Sequence, residues 1–453
     1  MRVFRLIWRL CVPMAAIFAV PGLVSGAHAN GYVFPLKVSA DHRYLVDQKG
    51  VPFMIVGDAP QAMAGNLSPA DANVFMADRA KYGINTLWVN LLCDSYTACN
   101  SDGTTFDGIA PFTTAGDLAT PNPSYFDRAA KIVALAAAHG MVVLLDPAET
   151  GGWLGVLDPN GVTKARAYGQ FLGRRFHGYK NIIWQSGNDF QSYTNTMDDA
   201  VVSAVAKGIH DTDPAVLQTI ELNYLVSASL DDPTWRPIVG LDAVYTYRPT
   251  YAKELYEYRR AFFKPTFMVE ANYEFEHNGG TDGGSTQNLR RQEYWTALCG
   301  TTGQLYASHY SWTLNGDWKT HLDTIGIRQF SIMRQLFQPR AWYNLVPDFE
   351  HQVLTKGSGL YSATDSITTD TYATAAATPD GTLAIAYLPS VRTVTIDMAK
   401  LSGAVTARWF DPTSNSFATI AGSPFTNSGS RAFTPPGTNK AGDGDWVLVL
   451  TAG

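Results

Sequence analysis

Charged residues and cysteines are scarce in this chain. Only 16% of its 453 residues are charged, and the net charge of −6 leaves no excess of basic side chains. This balance argues against partners such as nucleic acid or anionic membranes, because both are bound through clustered Lys and Arg. Only four cysteines occur, and no Cys/His cluster has the spacing of metal ligands. We therefore predict no metal and no cofactor.

Long apolar runs are also missing, except at the start of the chain. Three arginines among the first nine residues precede an apolar stretch from Leu10 to Val24, and Ala27-His28-Ala29 then forms a small-x-small cleavage site. This pattern is typical of a cleaved signal peptide, which we assign to residues 1–29. The protein is then expected to be secreted or periplasmic, with no membrane span after cleavage. An uncleaved anchor is the alternative.

Three cysteines remain once the signal, which contains Cys11, has been removed. Cys93 and Cys99 lie close together in a predicted loop. In an oxidising compartment they could form a disulfide that pins this loop. Cys299 falls in an apolar, helix-like stretch and is expected to be a buried free thiol.

Apolar residues are plentiful, at 46%, and they are grouped in short runs separated by helical stretches. The runs are continuously apolar, as in parallel strands buried on both faces. One helix start is explicit, since Ser68 and Pro69 provide an N-cap and a first-turn proline. Eight runs predict an α/β fold, a (β/α)8 TIM barrel over residues 30–347 that begins with a hairpin. The runs are Phe53–Gly57, Thr86–Val89, Val142–Leu145, Ile182–Trp184, Val216–Ile220, Ala243–Tyr245, Thr266–Val269 and Gln304–Ala307.

The sequence also argues against an open sheet and indicates where the barrel ends. An open, doubly wound sheet is the competing architecture, but no glycine-rich phosphate turn follows the first strand. Beyond Pro347 helical periodicity vanishes, and short β-like runs alternate with turns such as Asp380-Gly381. Residues 348–453 are therefore predicted to form a small antiparallel β-sandwich packed on the barrel.

Carboxylates follow most of the predicted barrel strands, at the ends where barrel enzymes carry their reactive groups. The two clearest candidates for catalytic carboxylates are Asp189 and Glu270. Asp189 ends Gly187-Asn188-Asp189 after the fourth strand, and Glu270 ends the seventh strand. These strands face each other across the barrel mouth. Glycoside hydrolysis needs such a pair, so we predict Asp189 as acid/base, with a raised pKa, and Glu270 as nucleophile. Acids that merely cap helices or pair with arginines are the alternative.

Polar and aromatic side chains at the same strand ends are predicted to bind the sugar. Aromatic rings can stack on the C–H faces of a sugar, and Asn188 is expected to bond a hydroxyl beside the reacting carbon. Trp88 and Trp184 lie within strands and are expected in the core instead. The predicted substrate-binding residues are Asp58, Gln61, Asn90, Asp146, Asn188, Tyr245, Tyr247, Tyr273, His309, Trp312 and Trp318.

Several segments together resemble the apiosidase-like glycoside hydrolases, which are retaining barrel glycosidases with a C-terminal β-sandwich. The resemblance implies the same two catalytic residues, Asp189 and Glu270. This sequence departs from the family in reading Asp58-Ala59-Pro60-Gln61 after the first strand and Ser308-His309-Tyr310-Ser311 after the eighth. Both departures change the predicted sugar pocket and leave the sugar open. The resembling segments include Val56-Gly57-Asp58, Tyr82-Gly83-Ile84-Asn85-Thr86, Ile183 to Asp189, Glu270 to Glu274 and Ala407 to Pro412.

Three functions fit these residues to different degrees. The leading hypothesis is a retaining glycoside hydrolase acting on a plant or microbial poly- or oligosaccharide, with a furanoside such as an apioside as one candidate. The second is a catalytically retired carbohydrate-binding or adhesion protein on a glycosidase scaffold. The third is a lyase for acidic polysaccharide, which needs a cation at the rim that the sequence supplies poorly. The sequence leaves the oligomeric state open.

The signal-peptide assignment predicts the mature N-terminus. Removal of residues 1–29 by a signal peptidase is expected to leave Asn30 first, which N-terminal sequencing of the exported protein would detect. Recovery of the protein in the membrane fraction with its first residues intact would support the uncleaved anchor instead.

Overall fold

A small antiparallel sheet covers one end of the barrel. The computed structural model describes residues 31–453, so the predicted signal peptide lies outside the described residues. The predicted hairpin is present and gains a third strand, and the buried side chains of Leu45 and Phe53 join the apolar cluster inside the barrel. The opposite end of the barrel is therefore the one that is open for a site. The three strands are β1 (Lys37–Val38), β2 (Leu45–Val46) and β3 (Pro52–Phe53).

All eight predicted apolar runs form parallel barrel strands. Hydrogen-bonded neighbours follow the order β8-β7-β6-β5-β4-β12-β11-β10-β9, with one antiparallel strand, β9, at the end. Strand β9 was not predicted, because it has only three residues and follows β8 after a short turn. The strands are β4 (Ile55–Asp58), β5 (Thr86–Asn90), β6 (Val142–Asp146), β7 (Ile182–Phe190), β8 (Gln218–Leu222), β9 (Val226–Ala228), β10 (Asp242–Thr246), β11 (Thr266–Glu270) and β12 (Gly303–Tyr306).

Side-chain hydroxyls bridge the seam between β8 and β10, where the barrel lacks a regular ladder. Thr219 Oγ1 donates to the Leu241 carbonyl at 2.8 Å. Ser229 Oγ donates to the Ile220 carbonyl at 2.6 Å and accepts from the Ala243 amide at 2.9 Å. Backbone groups that a wider gap would leave unpaired are thus satisfied, and the ring of strands is closed.

Helices cover the outside of the barrel. Ser68 caps α2 as predicted, its Oγ accepting from the Asp71 amide at 3.0 Å. The range Thr150–Phe176 consists of two helices that meet at Gly161, where the backbone is not helical and φ is +67°. The second is the helix predicted from Thr163 to Phe176, and the first was not predicted because glycines and Pro159 hid it in the sequence. Over residues 31–453 no helix is long and apolar enough to cross a bilayer. The helices are α1 (Met63–Asn66), α2 (Pro69–Lys81), α3 (Pro123–Ala138), α4 (Thr150–Phe176), α5 (Thr196–Thr212), α6 (Thr250–Tyr258), α7 (Thr286–Ala297), α8 (His309–Thr313) and α9 (Ile325–Phe337).

The C-terminal part is an antiparallel β-sandwich, as predicted. A six-stranded sheet, β13-β15-β16-β21-β18-β19, packs on a three-stranded sheet, β14-β17-β20. Since β13 pairs with β15, the sandwich begins at Val346, two residues before the predicted boundary. The strands are β13 (Val346–Pro347), β14 (Leu354–Lys356), β15 (Thr374–Ala377), β16 (Leu383–Leu388), β17 (Val394–Asp397), β18 (Val405–Asp411), β19 (Ser416–Thr419), β20 (Ser430–Phe433) and β21 (Trp446–Ala452).

A buried arginine joins the barrel to the sandwich. Arg290 on α7 bonds Asp445 through two nitrogens, each at 2.8 Å, and Asp443 at 2.6 Å. Nearby, the rings of Tyr294 and Tyr387 stack with centroids 5.1 Å apart. The outer face of the larger sheet is thus covered by barrel helices, which explains why β16 is buried along its whole length.

The buried Arg290–Asp445 ion pair predicts that the barrel and the sandwich stabilise each other. Arg290→Ala leaves the buried Asp445 carboxylate without its cation and is expected to lower the free energy of unfolding by about 3–5 kcal/mol. Urea unfolding followed by tryptophan fluorescence measures this change. The matched control, Arg328→Ala, removes an exposed arginine paired with Asp323 and is expected to have little effect. Equal unfolding midpoints for the two variants would contradict the prediction.

Candidate active site

An unusual turn at the end of β7 presents Asp189. Gly187, Asn188 and Asp189 have consecutive positive φ values of 111°, 67° and 57°. A Cβ at Gly187 would lie 2.1 Å from the Glu221 carbonyl oxygen, so this position needs glycine. Asn and Asp are the side-chain-bearing residues that best tolerate the left-handed region. The Gly-Asn-Asp sequence therefore fits the backbone that brings the Asp189 side chain to the barrel mouth.

Neighbouring strands fix this turn. Thr150 Oγ1 donates to the Gly187 carbonyl at 2.8 Å. The Asp189 amide donates to Glu221 Oε2, at the end of β8, at 3.1 Å. A backbone in a sparsely populated conformation persists only when its surroundings hold it, and such strain is common at functional sites.

A β-bulge in β11 turns the Glu270 side chain toward the barrel mouth. Val244 pairs with Met268 but Tyr245 pairs with Glu270, so Val269 is an extra residue in β11. Phe267 and Val269 both belong to the apolar cluster inside the barrel. Without the bulge, alternation along the strand would turn Glu270 away from the interior. With it, Glu270 lies at the mouth, directly above the core.

Asp189 and Glu270 line the same cavity of about 490 Å³. Six of the predicted sugar-binding residues line it with them, so more than half of the lining was predicted from the sequence. No Lys or Arg is among the lining residues. The lining residues are Gln61, Tyr96, Thr97, Asn188, Asp189, Gln191, Tyr224, Tyr245, Tyr247, Glu270, Tyr273, Glu276, Asn278 and Trp312.

Tyrosine hydroxyls hold both oxygens of Glu270. Tyr247 donates to Oε1 at 2.6 Å, and Tyr273 donates to Oε2. Tyr245 donates in turn to the Tyr247 hydroxyl at 2.9 Å. Burial, and then the charge of Asp189, raise the pKa of Glu270 to about 8, although these hydroxyls oppose the rise. Hydrogen bonds on both oxygens stabilise the ionised form relative to the same buried carboxyl without them.

Asp189 has a different environment. The Tyr96 hydroxyl donates to Oδ2 at 2.6 Å, whereas Oδ1 is buried and has no partner among the described residues. Burial raises the pKa of Asp189, and the hydroxyls of Tyr96 and Tyr245 oppose that rise. The free Oδ1 can carry a proton without breaking any bond. This unpaired oxygen distinguishes Asp189 from Glu270, whose two oxygens both accept hydrogen bonds.

A disulfide loop positions Tyr96. The structure joins Cys93 and Cys99, with Cα atoms 5.8 Å apart, and thereby closes the loop that carries Tyr96. The Asp94 amide in this loop donates to Glu149 Oε1 at 2.7 Å. Closing so short a loop restricts the unfolded chain and contributes about 2 kcal/mol. The third cysteine, Cys299, is a buried free thiol.

Glu221 is a third buried carboxyl beneath the cavity. One oxygen accepts from the Asp189 amide, and the other has no partner in the part of the chain that the structure describes. Burial, and then the charges of Glu270 and Asp189, hold the pKa of Glu221 well above its ordinary value. Its position at the end of the fifth barrel strand was a signal in the sequence, but nothing there separated it from the other strand-end acids.

Asp58 was predicted to bind substrate, and its placement corrects this. Ile55 and Ala59 face the barrel interior, so alternation turns the Asp58 side chain outward, toward α2. There it is fully buried and forms an ion pair with Arg79. It also accepts from Ser311 Oγ at 2.9 Å. Asp58 ties β4 to the surrounding helices and lies outside the cavity.

Four other predicted sugar ligands also lie outside the lining. Asp146 points into the barrel but is fully buried below the cavity, accepting from the Ala148 amide. Asn90 is buried and donates to Glu149 at 3.0 Å and to Asn188 at 3.4 Å, so it supports the turn. Trp318 is buried and packs against Phe75, with ring centroids 6.1 Å apart. His309 lies at the rim, bonded to Glu276 at 3.0 Å.

Residues missed by sequence reasoning lie mostly in loops. Tyr96, Thr97, Tyr224, Glu276 and Asn278 line the cavity but do not directly follow a strand, whereas Gln191 comes immediately after β7. No group of three or more His, Cys, Asp or Glu within residues 31–453 is arranged to hold a metal ion. The chemistry that the described side chains provide is that of paired carboxyls and hydroxyl donors.

Comparisons with known proteins agree with this geometry. In overall structure the chain is similar to a glycoside hydrolase family 5 protein from Bacteroides vulgatus ATCC 8482, with a TM-score of 0.79, 21% identity, and coverage of 92% of this chain and 93% of that one. A second solved glycoside hydrolase gives a TM-score of 0.78 at 20% identity, covering 93% and 98% of the two chains. No curated protein sequence matches.

Family models divide the chain as the fold does. One for a collagen-binding-type domain of a collagenase matches residues 363–451, within the sandwich. Another, described as "Apiosidase-like, catalytic domain", matches residues 39–344 and so covers the barrel and both candidate catalytic carboxyls. The chain therefore belongs to the apiosidase-like family, and its barrel is the catalytic domain of a glycosidase.

Proposed function

We propose that the protein is an exported, retaining glycosidase in which Glu270 is the nucleophile and Asp189 the acid/base. The observation that carries this proposal is the unequal bonding of the two carboxyls in one cavity. Glu270 accepts hydrogen bonds on both oxygens, and Asp189 has a buried oxygen left free. One is suited to attack as an anion and the other to deliver a proton.

The two carboxyls divide the reaction into two displacements. Asp189 donates its proton to the glycosidic oxygen while a Glu270 oxygen bonds to the anomeric carbon, and the bond to the leaving group breaks. Asp189, now ionised, then takes a proton from water, and the resulting hydroxide displaces Glu270 from the anomeric carbon. Asp189 ends protonated and Glu270 ionised, so the enzyme is regenerated with net retention of configuration.

The position of Tyr245 favours the retaining over the inverting mechanism. Its hydroxyl lowers the pKa of both Asp189 and Glu270, so it lies close to both carboxyls. Two carboxyls that share one neighbouring hydroxyl fit the separation of roughly 5–5.5 Å in retaining glycosidases better than the roughly 6.5–9.5 Å that inverting enzymes need to admit a water.

The same site bears on the competing functions. A lyase acting on acidic polysaccharide would need a cation to neutralise the uronate, and none of the lining residues is Lys or Arg. A retired binding protein would have no need for two carboxyls with different hydrogen-bond environments in one cavity. We further propose a plant or microbial poly- or oligosaccharide as substrate and export as the location, which the Cys93–Cys99 disulfide supports.

Replacing either carboxyl tests the assignment. Asp189→Ala and Glu270→Ala are each expected to lower kcat by several orders of magnitude, measured on whichever glycoside a reducing-sugar screen identifies. Azide is expected to restore part of the activity of Glu270→Ala, because it can attack the anomeric carbon in place of the missing carboxylate. Glu350→Ala, at an exposed glutamate of the sandwich, is the control. Near-normal turnover in both alanine variants, with circular dichroism unchanged, would remove the proposal.

Tyr96 is expected to lower the pKa of Asp189, the proposed acid/base. Its hydroxyl stabilises the ionised form of Asp189 and so lowers the pKa of that carboxyl. Tyr96→Phe therefore raises this pKa, and the protonated acid persists to higher pH. The alkaline limb of the kcat/KM profile is expected to move to higher pH in this variant. Tyr224→Phe, in the same cavity, should leave the limb in place; a Tyr96→Phe limb that stays or moves to lower pH would contradict the role.

A further inference from the structure

Glu276 is a third carboxylate of the active cavity that the proposed mechanism does not use. It follows Phe275, whose φ of 65° reverses the chain in a turn where the Glu276 amide donates to the Tyr273 carbonyl at 3.2 Å. The Gly284 amide donates to the Glu276 carbonyl at 3.0 Å and fixes this reversal. The Glu276 side chain thus lines the cavity although it lies six residues beyond the nucleophile.

The Glu276 carboxylate accepts hydrogen bonds from three side chains and has capacity for another. Oε1 accepts from Trp312 Nε1 at 2.6 Å and from His309 Nδ1 at 3.0 Å. Oε2 accepts from Asn278 Nδ2 at 3.1 Å. Because each carboxylate oxygen can accept two hydrogen bonds, Oε2 has room for one more. The side chain is 15% exposed, so this capacity is open to a ligand.

A hydrogen-bonded chain connects Glu276 to the nucleophile. Asn278 Nδ2 also donates to the Tyr247 hydroxyl at 3.1 Å. Tyr247 donates in turn to Glu270 Oε1 at 2.6 Å. The two carboxylates therefore share one wall of the cavity, with the Trp312 ring beside them. A sugar ring stacked on Trp312 would bring its hydroxyls to this wall.

The charge of the cavity limits what can bind there. Three of its lining residues, Asp189, Glu270 and Glu276, are acids, and none is Lys or Arg. A sugar hydroxyl can donate to such a wall, whereas a uronate or sulfate group would bring another negative charge into a half-enclosed site. The lining thus distinguishes neutral sugars from acidic ones.

We propose that Glu276 is a specificity-determining residue that accepts a sugar hydroxyl through Oε2 and confines the cavity to neutral sugar rings. This inference rests on the proposed function and adds the substrate class to it. The acidic ring of a uronate-containing polysaccharide is then excluded from the subsite beside the cleaved bond.

Hydrolysis of matched glycosides tests the specificity. The probes are 4-nitrophenyl glycosides of neutral pentoses and hexoses together with the glucuronide and galacturonide. Wild type is expected to prefer a neutral glycoside over its matched uronide by about 100-fold or more in kcat/KM. Glu276→Gln keeps the shape but removes the charge. Its kcat/KM on the neutral glycoside is expected to fall about 10-fold, as for the loss of a hydrogen bond to a charged group. Its preference for that glycoside over the matched uronide is expected to narrow by about 10-fold or more.

A binding measurement separates this inference from the proposed function. Calorimetric titration of Asp189→Ala with neutral sugars and with glucuronic and galacturonic acids, alone and combined with Glu276→Gln, does not depend on turnover. Preference for neutral sugars that Glu276→Gln weakens supports the inference even if wild type hydrolyses nothing, an outcome that would count against the proposed function alone. Hydrolysis with an unchanged preference in Glu276→Gln would overturn the inference alone.

The remaining outcomes are also decisive. A wild type that neither hydrolyses nor binds any neutral sugar would overturn both proposals. Equal effects of Glu276→Gln and the exposed control Glu350→Gln on the neutral-to-uronide ratio would overturn the specificity role. A lower melting temperature of Glu276→Gln with an unchanged neutral-to-uronide ratio would show that Glu276 only supports Trp312. That result would also overturn the specificity role.

Discussion

The site depends on two carboxyl groups that line one cavity whose lining contains no Lys or Arg. Burial raises the pKa of both carboxyls, and the charge of Asp189 raises that of Glu270 further. The tyrosine hydroxyls bond both oxygens of Glu270 and only one of Asp189, and the proposed division of roles rests on this difference. The surrounding structure, from the left-handed turn of β7 to the bulge of β11, holds these groups in place.

The barrel could be predicted from the sequence because its physics is local and repetitive. Each strand is a continuous apolar run, and each strand end is the place where a polar residue appears next. The same rule found Asp189 and Glu270. It failed for Asp58, because strand alternation rather than position along the strand decides which way a side chain points. It also gave no warning that Glu270 needs a bulge at Val269 to face the mouth.

The remaining part of the site was beyond sequence reasoning because it lies in loops whose shapes depend on distant contacts. Tyr96 reaches Asp189 from a disulfide-closed loop, and the two are 93 residues apart in sequence. Glu276 enters the cavity only because the chain reverses at Phe275 and is fixed by Gly284. Such residues have no periodic signal. They are the ones on which the recognition of a particular sugar depends, which is why the reaction class was easier to infer than the substrate.

Covalent trapping of the nucleophile tests the central claim most directly. A 2-deoxy-2-fluoro glycoside of a hydrolysed sugar slows the second displacement and leaves the sugar attached to the attacking carboxylate. Peptide mapping by mass spectrometry is expected to find the label on Glu270, with Asp189, Glu221 and Glu276 unmodified. A label on one of those three residues, or a product of inverted configuration with no labelled peptide, would contradict the account.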